Sequence, residues 1–459
     1  MGSFFRMVAG ATLSVAVVAG GGAARAETLT DTLIAAYKNS HLLEQNRALL
    51  RATDEDVAQS VAALRPVISF ALSGIYRDGN SKGITGGAYT TSATADLTAS
   101  LTLYDGGRNR LAVDASKETV LATRAALIGV EQNVLFSAVR AYMDIFAATQ
   151  NVSLAESNVR LITQQLRAAE DRFDVGEVTR TDVSIAQSRL AAARSNLVAA
   201  QGSLATAREA YKLAVGAYPG ALRGVPATPA LPKGVDAARA IAVQTHPDIL
   251  QAQHNVTAAE LNLARAKAAK GPTVSASAGL TAEDDGGEYG TLSLSLNQTI
   301  YAGGSLYSAE RQARANAQAS RAGLLQTVRT IEQQVGNAWA SLAVARAQVE
   351  ATDRQIRAAQ LAFDGTKEEA RLGARTTLDV LDAEQELLDA RTARVQAEAD
   401  QYIAIYSLLG SMGLLTVKHL GLGIPTYDPL DYYNAVSAAP IRSLQGRKLD
   451  KVLESIGRN

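Results

Sequence analysis

The sequence predicts a mainly α-helical fold with a small β part, built on very long coiled helices and written as two copies of one unit. Three observations carry this. First, 47% of the 459 residues are apolar but only 5% are aromatic. The apolar share rests on alanine, the best helix former and a side chain small enough for neighbouring helices to approach closely. Second, two stretches hold a 3-4 apolar spacing over about 67 residues, or about 100 Å at 1.5 Å per residue. Such a helix cannot fold back inside a compact domain. Third, Tyr104-Asp105-Gly106-Gly107 returns as Tyr301-Ala302-Gly303-Gly304. The same step carries Tyr142 onto Trp339, Gly176 onto Gly373, Asp182-Val183 onto Asp379-Val380 and Gly216 onto Gly413, the signature of an internal repeat.

Composition removes several function classes. Lys+Arg and Asp+Glu both number 45, so no global field attracts nucleic acid. With no cysteine, disulfides, thiolate metal sites, cysteine catalysis and a lipid-anchor cysteine are excluded. Beyond the N-terminal segment no stretch reaches 18 apolar residues, so no membrane-spanning helix is expected.

Residues 1–26 read as a secretory leader. Arg6 opens it, Val8 to Gly22 is uncharged and largely apolar, and Ala24-Arg25-Ala26 fits a small-x-small cleavage site. Residues 27–217 form the first repeat: a helix, a β-hairpin at 66–104, a long helix at 107–173 and a returning helix at 180–215. A proline-rich linker follows at 218–233. Residues 234–413 repeat the order, with a hairpin at 272–301, a long helix at 304–371 and a returning helix at 377–412. Residues 414–459 lose periodicity and are expected to be a partly disordered tail. Pro66 to Tyr104 is longer than Pro272 to Tyr301, so the first hairpin carries the longer loop, expected at Gly79 to Gly87.

The hairpins alternate with period 2. Ala95, Leu97, Ala99, Leu101 and Leu103 fall on one face, and Thr94, Asp96, Thr98, Ser100 and Thr102 on the other. Leu292, Leu294 and Leu296 alternate likewise with Ser293, Ser295 and Asn297. Strands of about ten residues suffice to cross a bilayer. A half-buried sheet against a core is the alternative, but no helix with a matching apolar face is available to cover it. The long seams run through Val134, Ala138, Ala141, Ile145 and Ile162 in the first copy and Ile331, Val335, Ala338, Leu342 and Phe363 in the second. The first returning helix keeps its own seam at Val183, Ala186, Leu190 and Ala193, while the second has Arg394 and Gln401 on the equivalent line. A polar residue there suits a water-filled channel better than a dry core. Four amphipathic strands cannot close a barrel, since small barrels need about eight, and open edges are not tolerated in lipid. Further copies of the chain are expected to complete the sheet.

Enzymatic chemistry finds little support. His41, His246, His254 and His419 show no i,i+4 ligand pairing, and His246 before Pro247 reads as a helix start. Phosphate loops and nucleophile elbows are absent. Glu283 to Glu288 is acidic but lacks the EF-hand ligand order and reads as a hairpin tip. No catalytic residue, cofactor or metal is expected.

The pattern resembles the TolC family of outer-membrane channel proteins over essentially the whole mature chain. The carriers are Leu103-Tyr104-Asp105-Gly106-Gly107-Arg108, His246-Pro247-Asp248-Ile249, and the doubled turns Val175-Gly176-Glu177-Val178-Thr179-Arg180-Thr181-Asp182-Val183 and Leu372-Gly373-Ala374-Arg375-Thr376-Thr377-Leu378-Asp379-Val380-Leu381-Asp382-Ala383. The resemblance implies a homotrimer with an α-helical barrel in the periplasm and a shared 12-stranded β-barrel in outer-membrane lipid of a Gram-negative bacterium. It implies a passive exit duct working with a periplasmic adaptor (membrane fusion) protein and an inner-membrane ABC or proton-driven exporter. The Tyr427-Asp428-Pro429 tail looks more like the type I secretion branch, and the cysteine of the lipid-anchored efflux branch is absent. In the family, positions matching Asp379 and Asp382 line the periplasmic gate, and the match of Arg375 bonds those of Thr181 and Asp182. Ala370 stands where members carry a tyrosine. The resemblance also implies adaptor-docking tips at Gly176 and Gly373 and a barrel-to-helix transition at Gly106, Gly107, Gly303 and Gly304. A secreted structural coiled-coil trimer without a channel is the rival reading. It predicts no lipid-facing strand face and no doubled tip motif.

Overall fold

The computed structural model describes residues 27–79, 88–225 and 228–439. The expected leader at 1–26, most of the Gly79 to Gly87 loop and the end of the tail, 440–459, lie outside the described residues. The chain opens with α1 (Leu29–Asn39) and α2 (His41–Ala62), then β1 (Val67–Gly79), β2 (Ala88–Tyr104), α3 (Arg108–Asp174) and α4 (Arg180–Val215). It continues with α5 (Val235–Thr245), α6 (Pro247–Ala268), β3 (Thr273–Glu283), β4 (Glu288–Asn297), α7 (Ser305–Arg371), α8 (Thr377–Ser411) and α9 (Pro429–Val436). α3 and α7 each hold 67 residues, so each spans about 100 Å.

Local chemistry sets the boundaries. Thr28 caps α1 through a capping box with Asp31, Ser40 caps α2, and His246 caps α6 with Pro247 in its first turn. The strand-to-helix corners use paired glycines at positive φ: Gly106 and Gly107 at 69° and 81°, Gly303 and Gly304 at 59° and 85°. Two successive left-handed residues are costly for any side chain with a Cβ. Asp105 fastens the first corner by accepting the Gly107 and Asn109 amides at 3.0 and 2.8 Å.

The four strands form one antiparallel sheet in the order β1-β2-β3-β4. Phe70 lies opposite Leu97, Leu97 opposite Leu280, and Ala276 opposite Leu294. Among the described residues β1 and β4 are the free edges of the sheet.

The main core lies midway along the long helices. It gathers Leu29 and Leu33 of α1, Leu135, Tyr142 and Ile145 of α3, Tyr211 of α4, Ile331 and Leu342 of α7, and Ile405 and Leu408 of α8. Tyr142 and Tyr211 keep their hydroxyls satisfied there, Tyr142 donating to the Arg223 carbonyl and Tyr211 to Glu27 Oε1 at 2.6 Å. Farther along the hairpins the core narrows to two small clusters. The alternation of large residues with alanine draws the backbones together and leaves little volume for a wider core.

The described part of the tail, up to residue 439, packs against the helices, and the stretch expected to be disordered lies outside the described residues. Leu415, Val417, Leu422 and Val436 are buried, and α9 lies on α2. Tyr432 donates to Glu55 at 2.6 Å, and the Arg124 guanidinium sits 4.9 Å from the Tyr433 ring centroid. This strap has no periodicity because it crosses helices instead of running along one.

Candidate functional site

Two regions at opposite ends of the long helices carry features that the core does not explain: the turns that join these helices to their return helices, and the sheet.

Both turns are built alike. α3 ends with the Gly176 amide donating to the Phe173 carbonyl at 2.9 Å and the Glu177 amide to Arg172 at 2.8 Å. α7 ends with Gly373 donating to Ala370 at 3.1 Å and Ala374 to Glu369 at 2.9 Å. These are Schellman ends, which need a left-handed residue just past the helix. Gly176 and Gly373 supply it at φ 82° and 81°. Thr179 and Thr376 then cap α4 and α8 through capping boxes with Asp182 and Asp379. Each carboxylate accepts the threonine amide at 2.9 Å and its hydroxyl at 2.7 or 2.8 Å. Those bonds hold both carboxyls below the usual aspartate range. Just before each glycine an apolar side chain stands in the open: Val175 and Leu372 are each 72% exposed.

The two turns lie side by side, joined by Leu381 of α8 packing with Ile162 of α3 and Leu190 of α4. Charges in this region pair differently from expectation. Arg375 does not bond Thr181 or Asp182 within the chain; its Nε donates to Glu369 Oε2 at 3.0 Å. The Schellman turn folds Arg375 back over the last turn of α7, where Glu369 is in reach, while Asp182 is taken up by its capping box. Thr181 is exposed. The ion pair between hairpins is instead Arg189 to Asp382, at 2.6 Å. Sequence reasoning missed Arg189, although it stands one heptad beyond Asp182 and so shares its helix face. We expect Arg189→Ala to weaken the hold between hairpins by about 0.2–1 kcal/mol, the usual worth of a partly exposed pair, read as earlier proteolytic cleavage of the tips.

The sheet separates polarity between its faces, with Val67 and Ile75 of β1 as apolar exceptions on the polar one. One face carries five side-chain pairs bonded across strands: Ser69 with Thr98, Ser73 with Thr94, Thr281 with Asp96, Ser275 with Ser295 and Ser277 with Ser293, all at 2.6–2.8 Å. The other face carries Ile68, Phe70, Leu72, Leu97, Leu280, Leu292, Leu294 and Leu296, all exposed in the single chain, Leu292 by 87%. Among the described residues no element covers this face. Exposed tyrosines stand at the ends of the sheet: Tyr104 and Tyr301 at the helical end, and toward the hairpin tips Tyr76 on the apolar face and Tyr289, opposite Thr281, on the polar face. The acidic run folds as the β3–β4 turn, with Asp284 accepting the Ala93 amide of β2 at 3.0 Å.

Among the described residues no group of three His, Cys, Asp or Glu side chains is placed to hold a metal, and no helix is long and apolar enough to cross a membrane. His254 meets Glu118 at 2.8 Å, and the His246 ring accepts the Asp248 amide as a cap.

Residues 33–217 and 239–414 match the family described as outer membrane efflux protein. The chain is 38% identical over 438 residues to the outer membrane efflux protein BepC of Brucella suis biovar 1 (strain 1330), which covers 94% of this chain and 95% of BepC. It is 25% identical over 463 residues to the outer membrane protein TolC of Salmonella enteritidis, covering 89% of this chain and 91% of TolC. The solved structure of the outer-membrane channel OprN superposes with a TM-score of 0.74 at 25% identity, over 84% of this chain and 89% of OprN.

Proposed function

Because the chain belongs to the outer membrane efflux protein family, we propose that it is the outer-membrane exit duct of a tripartite export system, assembled as a homotrimer. The observation that carries this is the sheet. It has a continuous uncovered apolar face, a hydrogen-bonded polar face and two free edges. Lipid suits the first, water the second, and further copies of the chain the third. Three copies bring twelve strands, enough to close a barrel. The 67-residue helices α3 and α7 then continue the wall inward for about 100 Å. The chain is read as two outer-membrane-factor repeats, 27–217 and 234–413, each supplying one hairpin and one helical hairpin.

In this reading the apolar tips at Gly176 and Gly373 meet a periplasmic adaptor that links the duct to an inner-membrane ABC or proton-driven exporter. Thr181, Asp182, Arg375, Asp379 and Asp382 surround the periplasmic gate, and Gly106, Gly107, Gly303 and Gly304 turn the barrel wall into helices. Three-fold symmetry makes Asp379 and Asp382 rings of carboxylates, which favour cations. The Tyr427-Asp428-Pro429 tail supports protein cargo of the type I secretion kind. BepC is named as an efflux protein, which supports small molecules as the second reading.

Fractionation and planar-bilayer recording test the proposal together. A trimer in the outer-membrane fraction that forms cation-preferring channels is the expected result. A protein found wholly soluble in the periplasm overturns it. At the gate, Arg189→Ala should raise single-channel conductance more than Arg375→Ala, because Arg189 holds the tie between hairpins within the chain. The reverse order would mean that the decisive tie is made by Arg375 between chains.

A further inference from the structure

Glu384 lies on α8 a few residues beyond Asp382, yet it is only 4% exposed, and neither carboxylate oxygen meets a hydrogen-bond donor. Its neighbours on α8 pack in two directions. Leu381 joins Ile162 of α3 and Ala186, Leu190 and Ala193 of α4, while Val380 and Leu387 join Phe363 and Ala370 of α7. The carboxyl is therefore held where three helices press against α8. Leaving an ionised carboxylate unpaired in such a place is costly, so the surroundings favour the protonated acid.

The surrounding charges do not relieve it. On α7, Lys367 is exposed and draws the group down only in part, and Asp364 is occupied by Gln360. On α3, Glu156, Arg160 and Arg167 are exposed. On α4, Arg180 and Arg194 are exposed, and Arg189 is bound to Asp382. On α8 itself, Asp382 has that partner and Glu386 is exposed.

We propose that Glu384 is a proton-operated latch at the tip end of the helical bundle: neutral, it lets α8 lie against α3 and α4, and ionised, it drives α8 off that contact. The proposal rests on the reading of this end as the gate, and it adds regulation to that gate.

Burial pushes the Glu384 carboxyl up to about 7 from an ordinary 4.5, with Lys367 opposing. The packed state therefore binds more protons than the released state between these values. Packing is fully stable below pH 4.5 and weakens as pH rises through about 7, the opposite sense to a salt-bridged carboxylate. Between pH 5 and pH 8 the released-to-packed ratio should rise on the order of ten- to a hundredfold per chain.

The test compares the wild-type full chain with Glu384→Gln, which has the shape of the protonated acid and cannot ionise. Single-channel conductance is recorded in planar bilayers at pH 5, 6, 7 and 8, and amide hydrogen exchange of residues 377–390 is followed in detergent over the same range. Wild type should open, and exchange faster in α8, as pH rises; Glu384→Gln should stay closed and protected throughout. An equal pH response in the two proteins, by conductance or by exchange, overturns the latch. If wild type inserts but conducts at no pH, the channel reading fails, and exchange in α8 still decides the latch on its own.

Discussion

Arginine at Leu294 should cost about 2–4 kcal/mol of barrel stability near the middle of the bilayer, while arginine at the next residue, Ser295, should be tolerated. Leu294 stands on the uncovered apolar face, opposite Ala276, and is 71% exposed in the single chain. Ser295 points the other way and shares a hydrogen bond with Ser275 at 2.8 Å. A β-strand turns successive side chains to opposite faces, so in the proposed barrel one position separates lipid from lumen. A charge facing lipid must drag water with it or leave the bilayer. In the lumen the same charge stays hydrated, and the lost hydroxyl bond is a small term. Urea unfolding in lipid vesicles and outer-membrane yield would both report the difference. If Ser295→Arg is the damaging substitution and Leu294→Arg folds normally, the two faces have been assigned in reverse.

The second large effect is expected at the tips, where Gly176→Val with Gly373→Val should abolish export while leaving trimers in the outer membrane. Apart from its chain neighbours, neither glycine has a described atom within 4 Å of where a Cβ would stand, so a Cβ there meets no packed neighbour. The cost is conformational. Valine at φ 82° or 81° is strained by at least about 1–2 kcal/mol at each site, and the relaxed turn no longer presents Val175 and Leu372 as a matched pair. Export should fall because a docking surface depends on shape, whereas assembly should survive because the core lies far up the helices. A second double variant, Val175→Asp with Leu372→Asp, keeps the backbone and removes only the apolar tips, and it should block export equally. Normal export by both variants, measured as secreted cargo at wild-type trimer levels, would place docking elsewhere.

The local elements were legible because their causes lie within a few residues of each other. Period-2 alternation in Ala95 to Leu103 marks a strand with unlike faces, and the 3-4 spacing from Val134 to Ala169 marks a helix with a seam. Thr179 and Asp182 write a helix start in four residues, and a glycine past a helix end writes its stop. For the same reason Gly176 and Gly373 could be placed at the turns from sequence, and Asp182 and Asp379 at helix N-termini. Those features depend on backbone sterics and on bonds between near neighbours, and any tertiary arrangement keeps them.

What the tertiary structure alone decided is which side chain meets which across long separations. Arg375 finds Glu369 in place of Asp182, and Asp382 finds Arg189, because a turn of a few residues fixes how each helix is rotated against its neighbour. The strap of residues 414–439 closes on α2 and α3 without any periodic signal. Glu384 reads in sequence as one more glutamate on a helix; it becomes a buried acid only because α3, α4 and α7 reach α8 from different directions. Burial is the sum of contacts from residues far apart in the chain, and a single helix carries no record of how much of its surface others will cover.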